Sequence, residues 1–215
     1  MIQIEIFTFN ALGENTYVLY DETKECVIID PGCYDRSEQQ ELKEYISENN
    51  LTPVKLLNTH CHVDHVLGNQ FVKDFYKIKI YTSKEEEEAL RAVKVYAPMY
   101  GFTNYAESEV DEIIKEGDII TFGNSKLEIL FVPGHSVGHL AFYNKEEKIC
   151  IGGDVLFRQS VGRWDLPGGN KDTLMNSIQT KLFKLDDDMV VYPGHGPETM
   201  IGLEKRTNPY CAVRI

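Results

Sequence analysis

The sequence predicts a mixed α/β fold built as a four-layer αββα sandwich. Two patterns point there. Strand-like and helix-like segments alternate along most of the chain, yet the opening thirty residues read as a β-meander, which a doubly wound parallel sheet does not begin with. The length of 215 residues suits one domain covering 1–215, or one large two-layered sandwich, better than two independent folds. Hydrophobic residues make up 42% and charged residues 26%, enough apolar material for a core.

The meander consists of IQIEIFTF, NTYVLY and ECVIID, three alternating runs separated by Gly13-Glu14 and Asp21-Glu22. Residues 36–48 carry Leu42, Tyr45 and Ile46 on one side and read as an amphipathic helix. A buried strand over 54–58 (VKLLN) leads into a histidine-rich loop and a helix over 64–74. A strand at 78–82 and a helix at 84–96 follow, and 97–112 lacks any period. Strands are expected at 119–122, 126–132, 140–144 and 148–153. After a Gly-rich loop, Leu174, Ile178 and Leu182 recur at helical spacing, 188–192 is a last strand, and a short segment closes the chain.

Charge and cysteine usage exclude several function classes. A net charge of −12 argues against a nucleic-acid partner, whose phosphates are bound by clustered Lys and Arg. Residues 83–118 hold ten acidic side chains against four basic ones, including Glu85–Glu88, which read as a solvated helix start without a function. No run approaches the roughly 18 apolar residues of a membrane span, and MIQIEIFTF lacks the shape of a signal peptide. The five cysteines are scattered without CxxC spacing, so free thiols and a cytoplasmic location are expected.

The chemistry is concentrated in the six histidines. Three lie in Thr59-His60-Cys61-His62-Val63-Asp64-His65, two in Pro133-Gly134-His135-Ser136-Val137-Gly138-His139, and one in Pro193-Gly194-His195-Gly196. Each cluster, and Asp154 after KICIGG, directly follows an apolar run, so four strands deliver polar groups at their carboxyl ends. In an extended segment His60 and His62 face one side, while the adjacent Asp64 and His65 open a helix and can turn to a second point nearby. His60, His62 and His135 make a three-nitrogen metal site with room for water. Asp64, His65 and His195 make a second, with Asp154 between the two. Two ions about 3.5–4 Å apart that share a hydroxide activate water at neutral pH.

THCHVDH resembles the THxHxDH signature of the metallo-β-lactamase superfamily, and PGHSVGH, GGD and PGHG match its later motifs in order. Beyond these, ENTYVL, VIIDPG, GDVLFRQSVGRWDLPGGN and GHGPETMIGLEKRTNP look most like small glyoxalase II-like hydrolases. The resemblance implies that His60, His62 and His135 hold metal one, that Asp64, His65 and His195 hold metal two, and that Asp154 bridges. It also implies that Asp30 lies behind the metals and orients a ligand. Only 20 residues follow His195, so the C-terminal helical domain with which larger members contact glutathione is expected to be absent. Where those members read roughly GKFYEG, this chain has Gly162-Arg163-Trp164-Asp165, which keeps a cation and replaces the tyrosine.

The expected activity is hydrolysis of a small thioester resembling S-lactoylglutathione, with Asp64 as the proton acceptor. Two divalent ions are expected, zinc first, with iron and manganese as alternatives. Arg163 is a candidate for a substrate carboxylate or for an ion pair with Asp165. Cys61 should point away from the ligands, and His139 should pack or support them. Trp164, Tyr96, Tyr100 and Phe102 suit either a substrate mouth or the core. The rival reading is a persulfide dioxygenase with one iron on His60, His135 and Asp154; lactone hydrolysis is weaker. No feature of the sequence bears on oligomeric state.

Overall fold

The computed structural model describes residues 1–213. The chain divides into two compact units, Met1–Ile114 with Thr121–Lys126, and Lys115–Ile120 with the residues from Leu127 onward. Each unit contains one mixed sheet with its own helices.

The first unit opens with the expected meander: β1 (Gln3–Phe9), β2 (Glu14–Tyr20) and β3 (Glu25–Ile29) pair antiparallel in chain order. Every residue of β2 is buried, the polar Glu14, Asn15 and Thr16 at its start as well as Tyr17, Val18, Leu19 and Tyr20. Then β4 (Thr52–Leu57), β5 (Ile80–Thr82) and the two-residue β6 (Glu112–Ile113) add in parallel after β3. Parallel addition needs crossovers, and helices lie in all three of them. The first, α1 (Arg36–Glu48), covers the expected span. Its start is a capping box: Asp35 accepts from the Ser37 and Glu38 amides, and Glu38 accepts from the Asp35 amide in return. Leu42 and Ile46 bury against Phe7, Val18, Ile28 and Leu56.

The helix expected over 64–74 is two pieces, α2 (Val63–Val66) and α3 (Asn69–Tyr76). Gly68 separates them. Its N–H donates to Pro31 O (2.7 Å), and a Cβ there would meet Cys33 Sγ at 2.5 Å and Pro31 O at 2.8 Å. The chain is held against the turn after β3, and only glycine fits. The next helix begins with a 3₁₀ turn (Lys84–Glu86) and continues as α4 (Glu87–Tyr96). There the sequence reading needs correction: Glu85 and Glu88 are exposed, but Glu86 is fully buried.

The second unit's sheet has the order β14-β13-β10-β9-β8-β7. It comprises β7 (Ile119–Phe122), β8 (Ser125–Phe131), β9 (Leu140–Asn144), β10 (Ile149–Gly153), β13 (Val190–Pro193) and β14 (Thr199–Met200). The turn joining β7 to β8 clusters with the first unit. Between β10 and β13 run a small hairpin, β11 (Leu156–Phe157) and β12 (Ser160–Val161), and the helix α5 (Lys171–Thr180). Leu174, Ile178 and Leu182 sit in a core with Val132, Val155 and Val191. A last helix, α6 (Ile201–Thr207), follows β14. Sequence periodicity missed β6, the β11–β12 hairpin and β14 because two-residue strands carry no period. Among the described residues, no helix is long and apolar enough to cross a membrane.

Candidate metal centre

Neighbouring parallel strands β3, β4 and β5 present their carboxyl ends on one edge of the first sheet. Asp30 follows β3, the loop 58–62 follows β4, and Glu86 lies just past β5. The crevice outside such strand ends is where open α/β sheets place their ligands. His62 caps the one-turn α2 in extended conformation, so Asp64 and His65 fall within the turn. His60 Nε2 and His62 Nδ1 are 3.1 Å apart, and the rings of His60 and His65 are 4.2 Å apart between centroids. Asp64 Oδ2 lies 3.8 Å from His65 Nε2. All five predicted residues of this unit, Asp30 included, are therefore brought together.

The carboxylate of Asp30 organises the group. Its Oδ1 accepts from the Thr59 amide (2.7 Å), and its Oδ2 accepts from the Thr59 hydroxyl (2.6 Å) and from His65 Nδ1 (3.2 Å). A neutral imidazole has one N–H, so His65 carries it on Nδ1 and leaves the Nε2 lone pair toward Asp64. Because the Thr59 hydroxyl spends its proton on Asp30, it accepts from His60 Nδ1 (3.0 Å). His60 thus presents an Nε2 lone pair as well.

The second unit repeats this logic. His135 follows β8, Asp154 follows β10 and His195 follows β13, with β10 and β13 parallel neighbours. Asp154 Oδ2 lies 3.5 Å from His135 Nε2 and 3.6 Å from His195 Nε2, a single carboxylate oxygen between two imidazoles. His135 Nδ1 donates to the backbone carbonyl of Arg163 (2.8 Å), which places its lone pair on Nε2. His139 Nε2 accepts from the Asp154 amide (3.0 Å), so this histidine supports Asp154 from behind. Gly162 is required here: a Cβ would fall 1.8 Å from Asp154 O and 3.2 Å from His135 Nδ1.

In three of the five candidate ligand histidines, a donor bond at Nδ1 turns the Nε2 lone pair toward the carboxylates or the other rings. That is how ligating histidines are prepared by their outer partners, and the donor set fits divalent ions. Cys61 is excluded as a ligand. Its side chain is packed with Val63, Val66, Leu90 and Phe102, and burial pushes its thiol well above the usual range, with the Glu86 charge adding to the effect. Phe102 and Tyr96 belong to or pack on that same cluster, and Trp164 packs on the core of the second unit. Arg163 spans Asp165 with two bonds of 3.0 Å on the surface, so the ion pair is the arrangement seen.

Sequence reasoning missed Glu14 and Glu86. Glu14 is fully buried, with Oε1 3.9 Å from His65 Nδ1 and Oε2 accepting from the Thr16 hydroxyl (2.9 Å). Burial drives its carboxyl well above the ordinary range, and the Asp30 charge adds to the rise. A charged residue opening a strand that runs on into Tyr17, Val18, Leu19 and Tyr20 was the available signal.

Two mixed sheets with helices, and histidines and aspartates gathered at strand ends, define a metal-binding α/β protein. The family model for the metallo-β-lactamase superfamily matches residues 10–195, and the chain belongs to that superfamily. Its membership makes it a metallo-hydrolase family protein, and the fold implies divalent metal ions. Hydroxyacylglutathione hydrolase GloC of Haemophilus influenzae is 37% identical over 211 residues, covering 97% of this chain and 98% of that protein. Among solved structures, the B3 metallo-β-lactamase BLEG-1 superposes with a TM-score of 0.89 at 32% identity, covering 98% of this chain and 100% of the other. TTHA1623 in a di-iron-bound form gives 0.83 at 34% identity, with 96% and 99% covered.

Proposed function

We propose that this protein hydrolyses a small acyl thioester of the S-lactoylglutathione type at a centre of two divalent ions, zinc first among the candidates. The observation that carries the reading is the tautomer control at His60, His65 and His135, each with Nδ1 engaged as a donor. Imidazoles so arranged serve ligation better than proton transfer. His60, His62, Asp64 and His65 of the first unit and His135, Asp154 and His195 of the second would serve as the metal ligands. Bound divalent ions supply Lewis acidity and an ionised water at neutral pH. Asp64 accepts the proton of the attacking water. The departing thiolate needs little acid assistance, since free thiols ionise near a pKa of about 8.5. Similarity to GloC over nearly the whole chain supports the thioester. Arg163 serves a substrate carboxylate only if it exchanges its hold on Asp165.

The test is metal content of protein purified without added metal, together with turnover of S-lactoylglutathione with and without oxygen. About two ions per chain and oxygen-independent cleavage support the proposal. One iron, with oxygen consumed on a persulfide and no thioester cleavage, establishes the dioxygenase instead. The resemblance to BLEG-1 makes a chromogenic β-lactam the control substrate.

A further inference from the structure

We infer that Glu86 is a positioning residue of the metal centre, its buried carboxylate holding the peptide N–H between His60 and His62 and thereby setting the spacing of those two imidazoles. The inference rests on the reading of His60 and His62 as ligands. Glu86 Oε2 accepts from the Cys61 amide at 2.8 Å, and the residue has no exposed surface. Burying a carboxylate is expensive unless it is satisfied, and a charge-assisted bond to a backbone N–H is among the stronger ways to satisfy it. Its neighbours Glu85 and Glu88 stay in solvent, so the inward turn of Glu86 is specific to that position.

Residues 59–61 belong to no helix or strand. Their amides are held from two sides, Thr59 by Asp30 at 2.7 Å and Cys61 by Glu86 at 2.8 Å. The two carboxylates stand past the ends of different strands, β3 and β5, and their anchored amides flank His60. The Cys61 side chain goes the other way into an apolar cluster, which fixes the peptide against rotation. His60 Nε2 and His62 Nδ1 reach their 3.1 Å separation from this doubly anchored backbone.

The experiment compares Glu86→Asp, Glu86→Ala and Glu86→Gln with the unsubstituted protein. Zn²⁺ affinity is measured by competition with a chromophoric chelator, and the ligand field by the visible spectrum of the Co²⁺-loaded protein, both well below each variant's melting temperature. Gln keeps the reach and an acceptor oxygen and should bind within a few-fold of the unsubstituted protein. Asp is one methylene short, and it and Ala should lose about 10–100-fold in affinity, with an altered Co²⁺ spectrum. Folded Asp or Ala variants with unchanged affinity and spectrum overturn the inference, whatever their melting temperatures. If Ala does not fold, Asp decides. Absence of metal binding in the unsubstituted protein overturns both this and the hydrolase reading. Tight metal binding without thioester cleavage overturns only the latter.

Discussion

Replacing Asp30 by Ala should both destabilise the metal-free protein and weaken metal binding. The carboxylate is buried and accepts from three donors that are themselves buried: the Thr59 amide, the Thr59 hydroxyl and His65 Nδ1–H. An orphaned buried donor costs about 1–3 kcal/mol. The amide cannot adjust and should bear the larger cost, whereas the hydroxyl can rotate and His65 can change tautomer. Removing a buried charge offsets part of the sum. Asp30 also sits at φ 50°, a region Asp and Asn tolerate and Ala resists by about 1 kcal/mol. The expected loss is about 3–4 kcal/mol, a large share of a total margin of about 5–15 kcal/mol. Metal affinity should fall about 10–100-fold because His65 is no longer held in its ligating tautomer. Asp30→Asn separates the causes: it keeps the backbone preference and one acceptor oxygen, and should lose about half as much stability. Urea unfolding of metal-stripped protein and chelator competition read the two effects. An Ala variant within about 0.5 kcal/mol of the unsubstituted protein, with unchanged metal affinity, would refute the reasoning.

Three further outcomes follow from the same geometry. Burial works to raise the Asp21 carboxyl, but bonds from the Thr23 and Ser125 hydroxyls and the Thr23 and Asn124 amides lower it from 3.8 to about 2. A depressed carboxylate stabilises the fold above its unfolded pKa, and the contribution fades as pH falls from about 4 to 2. Asp21→Asn should therefore cost about 1–2 kcal/mol at neutral pH, after allowance for solvent screening, and nearly nothing at the acid end of that window; unfolding curves across pH check it. Gly162→Ala puts a methyl 1.8 Å from Asp154 O, so the backbone must shift, at a cost of about 1–3 kcal/mol and reduced metal stoichiometry by elemental analysis. Glu204, buried, accepts from the Gln159 amide, the Thr199 hydroxyl and the Asn208 side-chain amide, tying the β11–β12 hairpin to the segment after His195. Glu204→Ala should lose about 2–4 kcal/mol in urea unfolding, and Glu204→Gln distinctly less.

The sequence by itself determined the fold class and named the candidate donors. Alternation in the first thirty residues, the 3.6-residue period of Leu42 and Ile46, and apolar runs ending in His60, His135, Asp154 and His195 are local signals. They are written in neighbouring residues and need no knowledge of what packs where. Tertiary structure alone decided how those donors are prepared. Gly68 breaks a helix because Pro31 and Cys33 lie against it. Glu86, one of four consecutive glutamates, turns inward because the Cys61 amide stands past the end of the adjacent parallel strand. Asp30 reaches Thr59 and His65 only because β3 and β4 pair in parallel, and His135 is oriented by the backbone of Arg163, not by its side chain. Each of these depends on a partner 25 to 37 positions away in the chain, and a hydrogen bond across that separation leaves no periodic trace in sequence.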